Sequence, residues 1–597
     1  LVNKIFTITD KSVKRLFKQA ILFSLTTGLM MNTSYAATSY PAQLLFGDTH
    51  LHTNLSGDAR GYGVKLSPED AYKVARGETI TSSTGISVTL HQPLDFLVIA
   101  DHAEGYGMMQ KLFNRDPELI SDPQLAKWAE MLNQDKRSAF TAVRQMIVAQ
   151  GNGQLPKAIT DNPEAFGKLW QDYITITEKY NEPGKFTAMY GYEWTGMYKG
   201  NNLHRVVVFR DGATIVRKTL PVDSNKTAHD PRQLWQALAE YEKSTGGQVL
   251  AIPHNSNLSG GMMFVPEEVN TIATATERVK WEPMVEITQI KGDSETHPYL
   301  SPDDQYADFE TWDVGNLALT QATTIGSLRG SYVRSALKMG LTLQQAQGIN
   351  PFKVGFVGAS DSHTGIPVTT EANFMGKHSM MEPSPTRMQR PVSRSMDLKL
   401  VNKGTTMAAS GLTAVWAHAN NRESIFDALE RREAYATTGP RIAVRMFIGQ
   451  DFPDDLFAQQ DWVAKSYQLG KPMGSTITNL SSAPKLALFA QQDPNDGALA
   501  KIQIIKGWVD AQGQTQEVVI DAVSSPTKEG SATLQAIWQD PNWQANQASF
   551  YYARVLQVPT QRWTTFDAKR FNVAVPDGAP TTIVERAYGS PIWYEAN

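Results

Sequence analysis

"FGDTHLHTNLSGDA", residues 46–59, opens at the end of the short apolar run Leu44-Leu45-Phe46 and carries two histidines one residue apart, with Asp58 six residues after the second. On a β-strand, residues i and i+2 point to the same side, so His50 and His52 can reach one point in space. Two converging imidazoles suggest a metal ion. H-x-H also arises by chance in loops, so the rest of the chain decides the reading.

Working outward, the same arrangement recurs: an apolar, β-branched run that stops at a ligand-type residue. "LDFLVIADH" (94–102) ends at Asp101-His102, "FTAMYGYE" (186–193) at Glu193, "QVLAIPH" (248–254) at His254, and "KVGFVGASDSH" (353–363) at Asp361 and His363. "MVEITQIKGD" (284–293) is similar, with Glu286 inside it, and in "NNLHRVVVF" (201–209) the order is reversed, with His204 leading into the strand. Runs that are apolar on both faces read as buried strands of a parallel sheet or barrel. Helical segments lie between several of them, such as "PRQLWQALAEYEKSTGG" (231–247), which ends on a glycine pair suited to a helix C-cap. Strand–helix alternation with chemical residues at strand ends is the layout of a β/α barrel. An open doubly wound sheet would favour a glycine-rich phosphate loop after the first strand, and "FGDTHLHTNLSG" is not one.

Six of the eleven histidines (50, 52, 102, 204, 254 and 363) fall at these strand ends, and five (91, 229, 297, 378 and 418) lie in polar loops or helical stretches. That concentration, with Asp58, Glu193 and Asp361 beside it, points to a metal cluster. With no cysteine in the chain, its ligands must be nitrogen or oxygen.

H-x-H with a carboxylate six further on, then D-H after a buried strand, G-x-E, two isolated histidines and a terminal D-x-H resembles the PHP (polymerase and histidinol phosphatase) superfamily. The longer pattern, including "GLTAVWAHANNRESIFDALERREAYATTGPRI" (411–442) and "ERAYGSPIWY" (585–594), resembles a large secreted bacterial branch catalogued as a domain of unknown function. The resemblance implies a distorted (β/α)7 barrel and a trinuclear site. His50, His52 and Asp361 would hold one metal and share Glu193 as a bridge; Glu193, His204 and His254 would hold a second; Asp58, His102 and His363 a third. Family members often carry histidine where Asp58 stands.

Two such metals can share an activated hydroxide that hydrolyses esters, phosphoesters foremost. Histidine with carboxylate suits two or three divalent ions, zinc, manganese or iron. Asp48 and Asp101 are candidates to orient the imidazoles, and Asp101 could alternatively protonate a leaving group. Arg205, Lys291 and Arg441 lie beside the motifs and could hold an anionic substrate. The alternatives are a sulfate, phosphonate, lactone or amide hydrolase on the same metals, or a non-catalytic metal-dependent binding protein.

The domain plan has four parts. Residues 1–36 carry five basic residues ahead of an apolar stretch and Ser34-Tyr35-Ala36, the layout of a cleavable signal peptide, which predicts a periplasmic or secreted protein with no stable membrane anchor. Residues 37–442 form the α/β barrel domain. Two insertions interrupt it, near 105–180 (helical and polar) and 366–410 (a basic lid or specificity loop bearing Lys377, Arg387, Arg390, Arg394, Lys399 and Lys403). Residues 443–597 alternate and carry turn signals, as a β-sandwich-like C-terminal domain does. Without residues 1–36 the chain is mildly acidic, net −8 from the 56 basic and 60 acidic residues of the whole, which gives no electrostatic footprint for nucleic acid. The expected partner is a small anionic ester; the sequence does not give the oligomeric state.

Overall fold

Strands that are apolar on both faces must be covered on both sides, and in the computed structural model they are. It describes residues 40–151, 154–265, 271–367, 370–395 and 397–596. The expected signal peptide lies outside the described residues. No helix among the described residues is long and apolar enough to cross a membrane. Strand β1 (Gln43–Leu51) is buried from Leu45 onward. It runs parallel to β2 (Phe96–Ile99), which runs parallel to β3 (Thr187–Trp194). Next come β4 (Arg205–Phe209), antiparallel to β3, and β5 (Val249–Pro253), antiparallel to β4. Strands β6 (Met284–Gln289) and β7 (Gly355–Gly358) form a parallel pair of their own. The protein is therefore mixed α/β, and its central strands are not all parallel: β4 runs against both its neighbours.

Glycine permits the tightest of these contacts. A Cβ on Gly191, two residues before Glu193, would stand 2.4 Å from the Val98 side chain and 2.8 Å from the Val207 carbonyl. Helices α1 (Pro68–Ala75), α2 (Pro163–Tyr180) and α3 (Pro231–Thr245) precede β2, β3 and β5. Each starts on a side-chain cap followed by proline, and α3 ends on Gly246 in the left-handed conformation, φ 74°.

The first half of β1 pairs antiparallel with β8 (Leu412–Ala417), and β8 pairs with β9 (Ala434–Thr437). Beyond residue 442 come β10 (Ala443–Gly449), β11 (Lys485–Gln491), β12 (Leu499–Val509), β13 (Thr515–Ser524), β14 (Thr533–Gln539), β15 (Ser549–Gln557) and β16 (Arg586–Gly589). Strands β10, β11 and β14 form a sheet whose Val444, Met446, Leu486 and Leu488 share a buried core with Ile502, Ile504 and Val555 of β12 and β15. That is the face-to-face packing of a sandwich. However, β9 pairs with β16, and β16 with β15, so one thirteen-stranded sheet crosses the expected boundary at 442/443. Local texture reports strand pattern; it does not report which distant strands pair.

The first insertion is helical as expected, but it is not merely polar: Met108, Leu112, Leu125, Trp128 and Leu132 make a core of their own. The second is built from short 3-10 turns and a hairpin of residues 391–394 and 401–403.

Candidate metal centre

The pairing of β3 with β4 explains why His204 precedes its strand. Because β4 is antiparallel, Trp194 at the end of β3 faces Arg205 at the start of β4, and Arg205 faces Pro253 at the end of β5. His204 therefore arrives at the same rim as Glu193 and His254. The other side of the rim is closed by residues just beyond β7: the Asp361 N–H donates to the His50 carbonyl at 2.8 Å and the His52 N–H to the Ser362 carbonyl at 3.0 Å. Asp361 adopts φ 47°, a left-handed conformation uncommon outside glycine and held here by these bonds.

At the centre stands the Glu193 carboxylate, which is buried and ringed by five imidazoles. His204 Nδ1 lies 2.6 Å and His254 Nε2 2.9 Å from Oε1, while His102 Nδ1, His52 Nε2 and His50 Nε2 lie 3.0, 3.2 and 3.4 Å from Oε2. Asp361 Oδ1 approaches His52 Nε2 at 3.3 Å and His50 Nε2 at 3.6 Å. Asp58 joins from the more open side, 2.9 Å from His363 Nε2 and 3.3 Å from His102 Nε2. All nine residues read from the sequence as ligands thus fall in one connected cluster. Three groupings place their ligand atoms within 4.8 Å of one another: His50, His52 and Asp361; His50, Glu193 and His254; His52, His102 and His363.

The arrangement fits divalent ions. The Nε2 atoms of His50 and His52 stand 3.0 Å apart, the separation of two ligands about 2.1 Å from one ion at about a right angle. Burial pushes His204 down to about 3 and lowers His254, which keeps these two rings neutral, whereas the carboxylates beside His50 and His102 raise those two. His204 Nε2 is buried with no hydrogen-bond partner. Burial opposes ionisation of Glu193 and Asp361, but His102 foremost for Glu193, and Lys291, Lys377 and then His50 for Asp361, overcome it and hold both well below the usual carboxylate range.

Five supporting residues surround the cluster. Glu286 Oε2 lies 3.0 Å from His50 Nδ1, and Gln289 Nε2 donates to Glu286 at 2.9 Å and to Asp361 Oδ2 at 2.7 Å. Ser56 Oγ contacts His52 Nδ1 at 2.7 Å and donates to Asp101 at 2.8 Å. Lys291 Nζ lies 2.6 Å from Asp361 Oδ2, and Lys377 Nζ lies 2.6 Å from Asp361 Oδ1 and 3.0 Å from His363 Nδ1. Lys377 comes from the second insertion, whose residue 378 bridges to His363.

Among the other sequence candidates, Lys291 reaches the cluster and two arginines do not. Arg205 sits on the strand face opposite His204 and pairs with Glu282 at 3.0 Å. Arg441 donates to the carbonyl of Gln92. Asp101 holds the Thr53 N–H and hydroxyl, both at 2.6 Å, so it braces the loop after β1 and reaches His52 only through Ser56. Burial raises its pKa. Asp48 likewise accepts from the His50 and Ser360 backbone rather than from a ring. The orienting carboxylate is Glu286, whose position inside its strand was visible in the sequence but whose partner was not.

The class is thus a mixed α/β protein with a candidate metal centre at one rim of its sheet. Residues 39–529 and 522–596 match the family described as "Protein of unknown function (DUF3604)", and the chain belongs to that family. No curated protein matches it. Among solved structures it is similar to a two-domain protein from Bacteroides vulgatus ATCC 8482 containing a predicted PHP-like metal-dependent phosphoesterase. That alignment has 10% identity and a TM-score of 0.28, and it covers 91% of this chain and 94% of the other.

Proposed function

We propose that this protein is a metal-dependent phosphoesterase with a trinuclear site, exported to the periplasm or secreted. On this reading β1 to β7 are the strands of a distorted (β/α)7 PHP-type barrel, and residues 443–597 an appended β-rich domain. The observation that carries it is the Glu193 carboxylate encircled by five histidines. A buried carboxylate needs one or two partners, not five imidazoles whose lone pairs converge. A shared ion-bridging role accounts for all of them.

His50, His52 and Asp361 would hold one ion, Glu193, His204 and His254 a second, and Asp58, His102 and His363 a third. When bound, divalent ions supply an activated water and neutralise charge on a leaving oxygen. The chain's own residues set the rest. Four carboxylates (Asp58, Glu193, Glu286 and Asp361) meet two lysines (Lys291 and Lys377) at the site. Two or three divalent ions therefore leave a net positive site, which favours an anionic ester over a lactone or amide. Lys291 and Lys377, bound to Asp361, are the cations nearest an incoming anion, and Gln289 fixes the Asp361 carboxylate between them.

Elemental analysis of the chain, paired with hydrolysis of chromogenic phosphate mono- and diesters, phosphonates and sulfates, tests the reading. The expected result is two or three ions per chain and phosphoester turnover that is lost in Glu193→Gln. Less than one ion after reconstitution with zinc, manganese and iron refutes the metal site. Turnover of sulfates alone keeps the site and rejects the substrate class.

A further inference from the structure

A cavity of about 710 Å3, within the size range of small-molecule sites, is lined by none of the nine candidate ligands. Three stretches wall it: the loop 305–311, the hairpin of the second insertion, and the C-terminal segment 576–586. Its charge is unusual. Among the described residues seven arginine side chains are fully buried, and six of them (Arg205, Arg278, Arg334, Arg387, Arg554 and Arg562) have a carboxylate within salt-bridge distance. The seventh, Arg586, lies on this cavity. It stacks 3.6 Å from the Phe309 ring and donates to the carbonyls of Tyr306 and Val584 at 3.1 and 3.3 Å. Among the described residues it forms no ion pair. Its charge acts on the buried Asp293, but no carboxylate of the described residues lies within salt-bridge distance, and buried charges are ordinarily paired more closely.

Two more cations face it. Arg390 and Lys403, neighbours across the hairpin, line the cavity, are exposed, and make no ion pair among the described residues. The three acids of the lining offset its four cations only in part. Glu310 is taken by Arg562 at 2.9 and 2.5 Å, and Asp308 and Asp577 are exposed to solvent. The remaining wall mixes hydroxyl and amide groups, among them Gln305, Gln389, Thr405 and Thr582, with apolar side chains such as Val401 and Ile583, which suits a hydroxylated ring that has an apolar face.

We propose that this cavity is a second ligand site, separate from the metal centre, that takes a hydroxylated organic anion of mono- to disaccharide size. Arg390 and Lys403 contact its acid group, and Arg586 supplies the buried charge beneath.

Calorimetric titration of the full chain with glucuronate, glucose 6-phosphate and glucose tests it, beside the double variant Arg390→Gln/Lys403→Gln. Both substitutions are on exposed side chains, and unchanged melting temperature and metal content verify that the fold is kept. The expected result is that at least one of the two anions binds about tenfold or more tightly than glucose. The double variant should lose that preference, and Glu193→Gln should keep it. The proposal is overturned if neither anion binds at up to about 10 mM, if glucose binds as well as they do, or if the double variant binds as the parent does. Loss of binding in Glu193→Gln alone would assign the anion to the metal centre instead.

Discussion

Lys377→Met should make the chain hold its metal more tightly. The Lys377 ammonium lies 2.6 Å from Asp361 Oδ1, the oxygen that the proposed function assigns to an ion shared with His50 and His52. An ion on that oxygen at about 2.1 Å lies within about 4.7 Å of Nζ, so a divalent and a unit charge would repel by roughly 7 kcal/mol at an effective dielectric of about 20. Rotation of the lysine and residual water relieve most of this. If only about a third survives, roughly 2 kcal/mol, the charge deletion tightens binding about 30-fold. The lost Lys377–Asp361 pair acts in the same direction, because it frees the carboxylate. Lys377→Arg keeps the charge and should keep parental affinity. Competition with a chromophoric chelator, at fixed pH and salt, reads the affinity for zinc and manganese directly and needs no substrate. Equal or weaker binding in Lys377→Met, or the same gain in Lys377→Arg, would refute the electrostatic argument.

Three other outcomes are expected. Asp58→Asn, which removes the charge between His102 and His363, should lower the ion count by about one in elemental analysis while leaving ions at Glu193 in place. Burial alone would raise Asp304, but hydrogen bonds from Arg554 and the charge of Arg334 overcome it and hold the carboxyl well below its usual range. That stabilisation is present above pH about 4 and lost as pH falls below it. Arg554→Met, which strips partners from both Asp304 and Glu295, should therefore cost about 3–5 kcal/mol at neutral pH in urea unfolding and flatten the acid limb. Burial pushes Glu371 up to about 8, against Arg562 and with help from Glu310. The fold then keeps a proton that the unfolded chain releases near pH 4, so stability declines as pH rises from there towards 8. Glu371→Gln should melt higher than the parent at pH 7 and equally at pH 4, as followed by circular dichroism.

The sequence made most of the candidate ligands legible because they lie at the ends of buried strands, which must emerge somewhere along one rim, and Asp58, in the short helix after β1, by its spacing from His52. His204 was the awkward case. Its place before the strand follows from the antiparallel run of β4, which no local pattern encodes. Residues just off the motifs were harder to read. Arg205 looked available beside His204, yet alternation along β4 turns it to Glu282. Glu286 sat in plain view but was attached to no ligand until β6 was placed against His50. Lys377 was one basic residue among several in an insertion; the bridge between residues 363 and 378 singles it out. The alternation beyond residue 442 did show strands, and the pairing of β9 with β16 carries the main sheet across the boundary that texture suggested.

The closure of β1 by residues beyond β7 also sets an order of events. Asp48 accepts from the Ser360 N–H across 312 residues of chain, and the first half of the same edge of β1 waits for β8, later still. A chain emerging from its N-terminal end thus exposes an unsatisfied strand edge bearing His50 and His52 until more than half of it has been made. Contacts this distant are late and slow to form. Whatever ions the centre holds can settle only after that ring is closed. Metal loading therefore becomes the finishing step of assembly, governed by the ion supply at the place where folding ends.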